Sequence, residues 1–366
     1  MKVIMISGDI HAIRGKDCPF INTLRGLIEE WDEILVFCSS VNENLSYSPF
    51  AGVTLVSMKR NLFHRLFFFH EIIYILNNKK FDLVVSHEYG LNLNGFNASI
   101  ISKKLSIKWI SEIFHIEGYP YLSNYKDIVY RVMMRLFIIY SKNLVLFYRI
   151  MNQGEIKLRL NYWGIDDNKI KVIPAIYIDF DIFQFKPSVR DIDLVFCGRL
   201  VPNKGIFQIL RLVKSIIKNF PNIKLVLVGD GPLYPKILTF IEANQLSKNI
   251  SIIQWVDRTE NIADIYRRSK ILICASTAEG GPRVPLEAMV CGTAIISTPV
   301  GVMPEFIDHD INGFLYDWDD ESLIKHTLYL LENPNVRDKF FQNSKHHFAK
   351  LDKKLMLKKY ALSYKV

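Results

Sequence analysis

Residues 278–292, AEGGPRVPLEAMVCG, set two carboxylates, Glu279 and Glu287, on either side of a Gly-Gly-Pro turn, with seven residues between them. Two Glu at such a spacing carry little by themselves; their surroundings carry more. Gly280 and Gly281 allow positive φ and close approach of the backbone to a ligand. Pro282, Arg283 and Val284 then open a helical run, PLEAMV, stopped by Gly292. The start of a helix offers unpaired N–H groups and the positive end of its dipole, so phosphate is the natural guest there. A carboxylate repels phosphate but accepts hydrogen bonds from sugar hydroxyls. One Glu on each side of a phosphate cradle therefore suits a ligand with hydroxyls at both ends, and a nucleoside-diphosphate sugar has that form.

A second constellation, CGRLVPNKG at 197–205, ends a strand at Arg199 and starts the next helix near Lys204. Two cations at a strand-to-helix crossing can clamp a diphosphate and offset the charge it gains as a leaving group. Exposed Arg and Lys are usually only solvated, so the weight of this pair comes from its predicted position on the same rim as the two Glu.

That rim needs strands. KVIMIS (2–7), EILVFC (33–38), DLVVSH (82–87), KWISEI (108–113) and NLVLFY (143–148) are near-continuous apolar runs, the pattern of parallel strands buried on both faces. A second series, DLVFCG (193–198), KLVLVG (224–229), NISIIQ (249–254), KILICA (270–275) and TAIIST (293–298), follows a polar stretch around Pro187. Between its first two members Ile206, Ile209, Leu210, Val213, Ile216 and Ile217 recur at helical spacing. The expectation is an α/β chain of two Rossmann-like, doubly wound parallel-sheet domains, 1–186 and 187–340. A basic helix at 341–366 would pack back toward the first domain. Ligands in such sheets bind beyond the carboxyl ends of the strands, which puts Glu279 on a loop rim and Glu287 in the first turns of a helix.

At 366 residues and 49% hydrophobic content the chain is long enough for two cores. Its net charge of +9 favours an anionic partner. Cys18, Cys38, Cys197, Cys274 and Cys291 are scattered, odd in number and without zinc-ligand spacing, as expected in a reducing cytosol. The first residues contain no signal-peptide core. The stretches 59–76 and 128–151 are broken by charges, so neither is expected to span a bilayer. KRNLFHRLFFFH, from Lys59, alternates aromatic and basic residues: it suits either a lipid surface, with Lys59, Arg60 and Arg65 on anionic headgroups, or an ordinary packed amphipathic helix. No nucleic-acid motif is present. The acidic triplets at 179–181 and 191–193 fall in a linker and at a strand edge, and are read as no metal site. The GDG at 229–231 has Tyr234 where a dinucleotide fingerprint has its third Gly.

Taken in order, GRL…NKG, LVGDGP, AEGGPRVPLEAMVCGTAII and GVMPEFIDHDINGFL resemble the donor-binding domain of retaining glycosyltransferases of family 4, which have the GT-B fold. The likeness is dense from about 193 to 320. It implies that Glu279 contacts the transferred sugar, that Glu287 bonds the ribose hydroxyls, that Arg199 and Lys204 hold the diphosphate, and that Trp255 and Val256 border the base. It also implies a Gly-rich loop and a histidine in the first domain facing the donor across a cleft, for which the candidates are Gly15 and His115, with His87 and His11 as competitors. Val302 and Ala294 depart from the family's usual Gly and Pro, which bears on sugar identity. The implied activity is retaining, metal-independent transfer from a UDP- or GDP-linked sugar to a glycan or lipid-linked glycan in surface polysaccharide assembly. The implied location is the cytoplasm or the inner face of the cell membrane. The rival readings are a nucleotide-sugar hydrolase or epimerase, and a non-catalytic nucleotide-sugar-binding protein.

Overall fold

The computed structural model describes residues 1–16, 18–61, 63–64, 66–76, 79–122, 124–254, 256 and 258–365. The chain divides into two units. The first comprises Met1–Glu117, Lys126–Ala175 and Lys354–Val366, and the second Gly118–Tyr125 and Ile176–Lys353.

The first unit is built on an eight-stranded sheet: β1 (Lys2–Ser7), β2 (Glu33–Cys38), β3 (Leu45–Phe50), β4 (Val53–Ser57), β5 (Leu83–Glu88), β6 (Lys108–Ile113), β7 (Phe147–Ile150) and β8 (Ile170–Val172), in the order β3-β4-β2-β1-β5-β6-β7-β8. Its pairs are parallel except β3 with β4. Val3 to Ile6 of β1 are fully buried because helices cover both faces, and for that reason the run has no polar alternation. The strand expected at 143–148 starts later, at Phe147. Residues 141–145 instead turn out of the helix Lys126–Ser141, the Ser141 carbonyl accepting from Leu144 N and Val145 N.

The second unit carries β9 (Ile192–Cys197), β10 (Leu225–Val228), β11 (Ile250–Ile253), β12 (Ser269–Cys274), β13 (Ala294–Ser297) and β14 (Phe314–Leu315), in the order β11-β10-β9-β12-β13-β14. All its strand pairs are parallel. The helix Ile206–Ile216 buries Ile206, Ile209, Leu210, Val213 and Ile216 against this sheet. In each sheet the order reverses beside the first strand, between β1 and β5 and between β9 and β12. Such a switch point opens a crevice at the carboxyl ends of the strands.

The unit boundary falls at Ala175/Ile176, earlier than the polar stretch around Pro187. Ile176, Ile178 and Phe183 pack into the second unit's core with Leu286, Met289 and Val300, so the chain joins that core before the polar stretch begins. The basic C-terminal stretch is likewise two things: the helix Pro334–Phe348 belongs to the second unit, and the helix Lys353–Ser363 lies almost wholly in the first. In the first unit Tyr360, Ala361 and Tyr364 of that last segment join Leu24, Trp31, Ile34 and Val36 in one core. The hydroxyls of Tyr360 and Tyr364 both donate to Oε1 of the buried Glu112, whose Oε2 takes a 2.8 Å bond from Arg149.

Candidate functional site

The switch point of the second sheet holds a cavity of about 270 Å³. Its floor is the end of β9 (Phe196 to Gly198) and of β12 (Leu272 to Cys274). Its walls are Lys204, Ser276, Glu279 and the segment Gly281 to Pro285.

Lys204 reaches it from a short turn, Pro202–Lys204, closed by Gly205 at φ 65°. A Cβ on Gly205 would overlap the carbonyl oxygen of Ala275, so this crossing comes against the end of β12 only because the residue is glycine. Thr277 N donates to the Asn203 carbonyl at 2.8 Å and fixes the approach. Lys204 Nζ consequently donates to Glu279 Oε1, which also accepts from Ser276 Oγ at 3.0 Å. Both partners are mostly buried, at 19% and 17% exposure. Before any ligand arrives, the site's inward-facing cation is thus neutralised by its own carboxylate.

The helix Arg283–Val290 begins beside the cavity with Pro282 as its cap, and no side chain caps it. Arg283 lies over the Tyr177 ring at 5.1 Å and its Nε is 3.8 Å from Glu287 Oε1. Burial pushes the Glu287 carboxyl above the usual Glu range, with the Arg283 charge pulling the other way. Burial also pushes the Cys197 thiol up to about 11 and raises that of Cys274, so both line the cavity as neutral thiols rather than nucleophiles.

The structure brings Lys204, Glu279, Gly281, Pro282, Arg283 and Val284 around one cavity, with Glu287 one turn further along the helix. The expected positive φ is absent at Gly281, and Gly280 is not among the glycines that adopt it. A Cβ at Gly281 would sit 2.7 Å from Ile176 Cδ1, so a side chain there would displace the end of Ile176. Positive φ occurs instead at Gly198 (155°), Gly229 (141°), Gly231 (158°) and Gly301 (58°), and a Cβ on Gly301 would meet the carbonyls of Gly280 and Glu279. Arg199 is exposed, and its side chain has no hydrogen-bond or ion-pair partner among the described residues. Trp255 lies outside the described residues; Val256 is half-buried against the second unit's core. Sequence reasoning missed Ser276, whose signal was its place at the strand end three residues before Glu279, and Tyr177, which sits in the linker approach with no local signal.

In the first unit, Gly15 (φ 70°) closes the short helix Ile10–Ile13, its N–H bonding the Ala12 carbonyl at 3.1 Å. The glycine directly after β1 is Gly8, where a Cβ would overlap the Tyr89 hydroxyl. His115 follows β6, 30% exposed, with Nε2 3.1 Å from Glu117 Oε1. His87 is buried on β5 between the Phe20 and Phe114 rings, its Nδ1 3.1 Å from Ser7 Oγ, and burial lowers its pKa. It is a packed core residue. His11 is exposed on Ile10–Ile13. A cavity of about 220 Å³ at the ends of β2 and β5 is lined by Ser39, Ser40, Tyr89 and Asn94 among others, and Tyr89 OH lies 2.9 Å from Ser39 Oγ.

Residues 178–347 match the family model described as Glycosyl transferases group 1. An uncharacterized glycosyltransferase of Methanocaldococcus jannaschii is 32% identical over 154 residues, 41% of this chain and 41% of that protein. The phosphatidylinositol N-acetylglucosaminyltransferase GPI3 subunit of Saccharomyces cerevisiae is 26% identical over 167 residues, 46% of this chain and 36% of that protein. The chain thus spans about two fifths of the length of the curated relatives it matches. Among solved structures, sucrose-phosphate synthase from Thermosynechococcus elongatus superposes with a TM-score of 0.82 at 15% identity, covering 100% of this chain and 98% of the other. Anabaena HepE in complex with UDP-glucose gives 0.77 at 16% identity, covering 99% of each. At these identities the likeness establishes the fold.

Proposed function

We propose that this chain, whose residues 178–347 match the glycosyl transferases group 1 model and whose fold is GT-B, is a retaining, family 4-like glycosyltransferase using a nucleoside-diphosphate sugar. The observation that carries the proposal is the cavity between β9 and β12, where Lys204, Glu279, Ser276 and an uncapped helix start converge. Phosphates take the helix start. Lys204 exchanges Glu279 for a diphosphate oxygen, which frees the Glu279 carboxylate to accept a sugar hydroxyl. Glu287 accepts the ribose hydroxyls, Arg199 adds a second cation, and Trp255 and Val256 border the base.

In the transfer step the acceptor oxygen bonds the anomeric carbon on the face that the diphosphate leaves. The bond from that carbon to phosphate oxygen breaks, and the acceptor proton passes to the departing oxygen. No metal is needed to balance the leaving charge where cations can do so. The acceptor we propose is a glycan or lipid-linked glycan of cell-surface assembly, reached from the cytoplasmic side. Neutral hydroxyl and amide groups in the Tyr89 cavity suit carbohydrate hydroxyls.

A lipid surface is favoured by one further observation. The helix Lys126–Ser141 exposes Ile128, Val129, Val132, Leu136 and Ile139, each at 52–53%, beside the exposed Arg135. The segment from Lys59 keeps part of that character, since Lys59, Phe63, Leu66 and Phe67 are exposed. Its helix covers only Phe69–Leu76, and Arg60 is buried, its guanidinium donating to the Ser39 and Val41 carbonyls between the Phe37 and Phe68 rings. Arg65 lies outside the described residues.

The deciding test is a thermal-shift titration with UDP, GDP, ADP and their sugar conjugates, with magnesium or with EDTA, followed by product analysis. We expect one nucleoside diphosphate to raise Tm equally in both buffers. Lys204→Ala should lose that shift and lower turnover about 10²-fold, the scale of removing one preorganised electrostatic group. A shift that needs magnesium overturns metal independence; free sugar as the product overturns transfer; no shift with any nucleotide overturns the donor site.

A further inference from the structure

Away from the cavity, the loop after Phe306 and the end of the helix Pro334–Phe348 bring together a carboxylate and two imidazoles that the proposed reaction does not use. The ligand atoms of Asp308, His346 and His347 all lie within 4.8 Å of one another. His347 is only 6% exposed, and neither ring nitrogen has a hydrogen-bond partner among the described residues. Its Nε2 is 3.8 Å from Asp308 Oδ2, beyond hydrogen-bond reach. A buried nitrogen left without a partner is costly.

His346 is exposed yet oriented: its Nδ1 is 2.7 Å from the Asn343 carbonyl oxygen, an acceptor, so Nδ1 carries the proton and Nε2 keeps a lone pair. A carbonyl behind an imidazole is how metal-ligating histidines have their tautomer fixed. Asp308 is placed by Asn312, itself 1% exposed, whose Oδ1 accepts from Asp308 N at 2.8 Å and whose Nδ2 donates to the Phe306 carbonyl at 3.0 Å.

We propose that Asp308, His346 and His347 form a binding site for a divalent transition metal of the zinc class, with water completing the coordination. Two imidazoles and one carboxylate suit zinc, cobalt and nickel, whereas magnesium and calcium prefer all-oxygen shells. Metal–nitrogen bonds of about 2.0–2.1 Å require only a modest contraction of the three groups. The exposed Asp308 and His346 give the metal its entry from solvent. Binding ties the loop that follows the helix Met303–Phe306 to the last turn of Pro334–Phe348. Met303–Phe306 in turn begins two residues after Gly301, which packs on the carbonyls of Glu279 and Gly280, so the metal braces the wall behind the sugar-contacting loop.

The test is calorimetric titration of the tag-free, EDTA-treated full chain with zinc, alongside cobalt with its visible absorption recorded, in wild type, His347→Gln, Asp308→Asn and the control His309→Gln. Expected are one zinc per chain, a cobalt spectrum of four- or five-coordinate intensity, and no heat with magnesium. The first two variants should lose at least tenfold in affinity, with the control unchanged. Asp308→Asn keeps the shape of the side chain, so it reports on the site even if His347→Gln unfolds. Equal zinc affinity in wild type and Asp308→Asn, a cobalt spectrum of six-coordinate weakness, or no binding overturns the proposal.

Discussion

At the level of single residues, the two carboxylates behave differently because their neighbours differ. Glu279 is held by Lys204 and Ser276, whereas Glu287 has, among the described residues, only Arg283 at 3.8 Å and a buried setting that raises its pKa. An acid whose folded pKa is raised takes up its proton at a higher pH than free Glu. If its ionised form receives the ribose hydroxyls, donor affinity falls as pH drops through that raised value, and is complete only above it. Calorimetry from pH 4.5 to 8 should show this loss in wild type, and a flat, weaker profile in Glu287→Gln. Glu287→Ala should weaken donor binding by about 1–3 kcal/mol. A wild-type affinity that does not change over the acid limb would remove Glu287 from ribose binding.

At the level of elements, the turn Pro202–Lys204 and its glycine decide whether Lys204 reaches its target. Gly205 combines φ 65° with contact on the end of β12, so Gly205→Ala meets both backbone strain and a steric clash. We expect a stability loss of about 1–3 kcal/mol and a weakened donor shift, read by chemical denaturation and by thermal shift on the same sample. Unchanged values in both would mean the crossing is looser than the structure has it.

The core strands were legible for the same physical reason that makes them strands: β1, β2 and β10 are buried on both faces and write that burial into the sequence as near-continuous apolar runs. β3 reads LSYSPF, interrupted by Ser46, Ser48 and Pro49, and only its antiparallel pairing with β4 makes it a strand. β8 and β14 are three and two residues long and leave no pattern to read. At the cavity, residue types and order announced Lys204 and Glu279, but their mutual ion pair joins positions 75 apart and depends on the Gly205 crossing, which no local spacing encodes. Gly281 does not take the expected positive φ; its lack of a Cβ leaves room for the end of the Ile176 side chain.

At the level of the whole molecule, the proposed contact with anionic lipid draws on a net charge of +9 and on a stripe of half-exposed aliphatic side chains on Lys126–Ser141. No helix among the described residues is long and apolar enough to cross a membrane, so any such contact through helices is peripheral. Co-sedimentation with vesicles of phosphatidylglycerol and phosphatidylcholine should retain wild type and release Val132→Ser/Leu136→Ser by roughly tenfold. Neutral vesicles should retain little of either. Equal retention of wild type and the double variant would remove this helix as the contact.

The segment Lys354–Val366 has a consequence for how the molecule comes into being. A ribosome delivers Leu24, Trp31 and Ile34 long before Tyr364, yet Tyr360, Ala361 and Tyr364 share one core with them, and Glu112 receives both tyrosine hydroxyls. The first unit therefore cannot finish its interior until the main segment of the second, Ile176–Lys353, has been made. The second unit, complete by Lys353, has all its parts sooner. The order of birth and the order of completion are opposite, and a nascent chain stalled before Tyr360 would display an unfilled hydrophobic face to the cell's quality-control machinery.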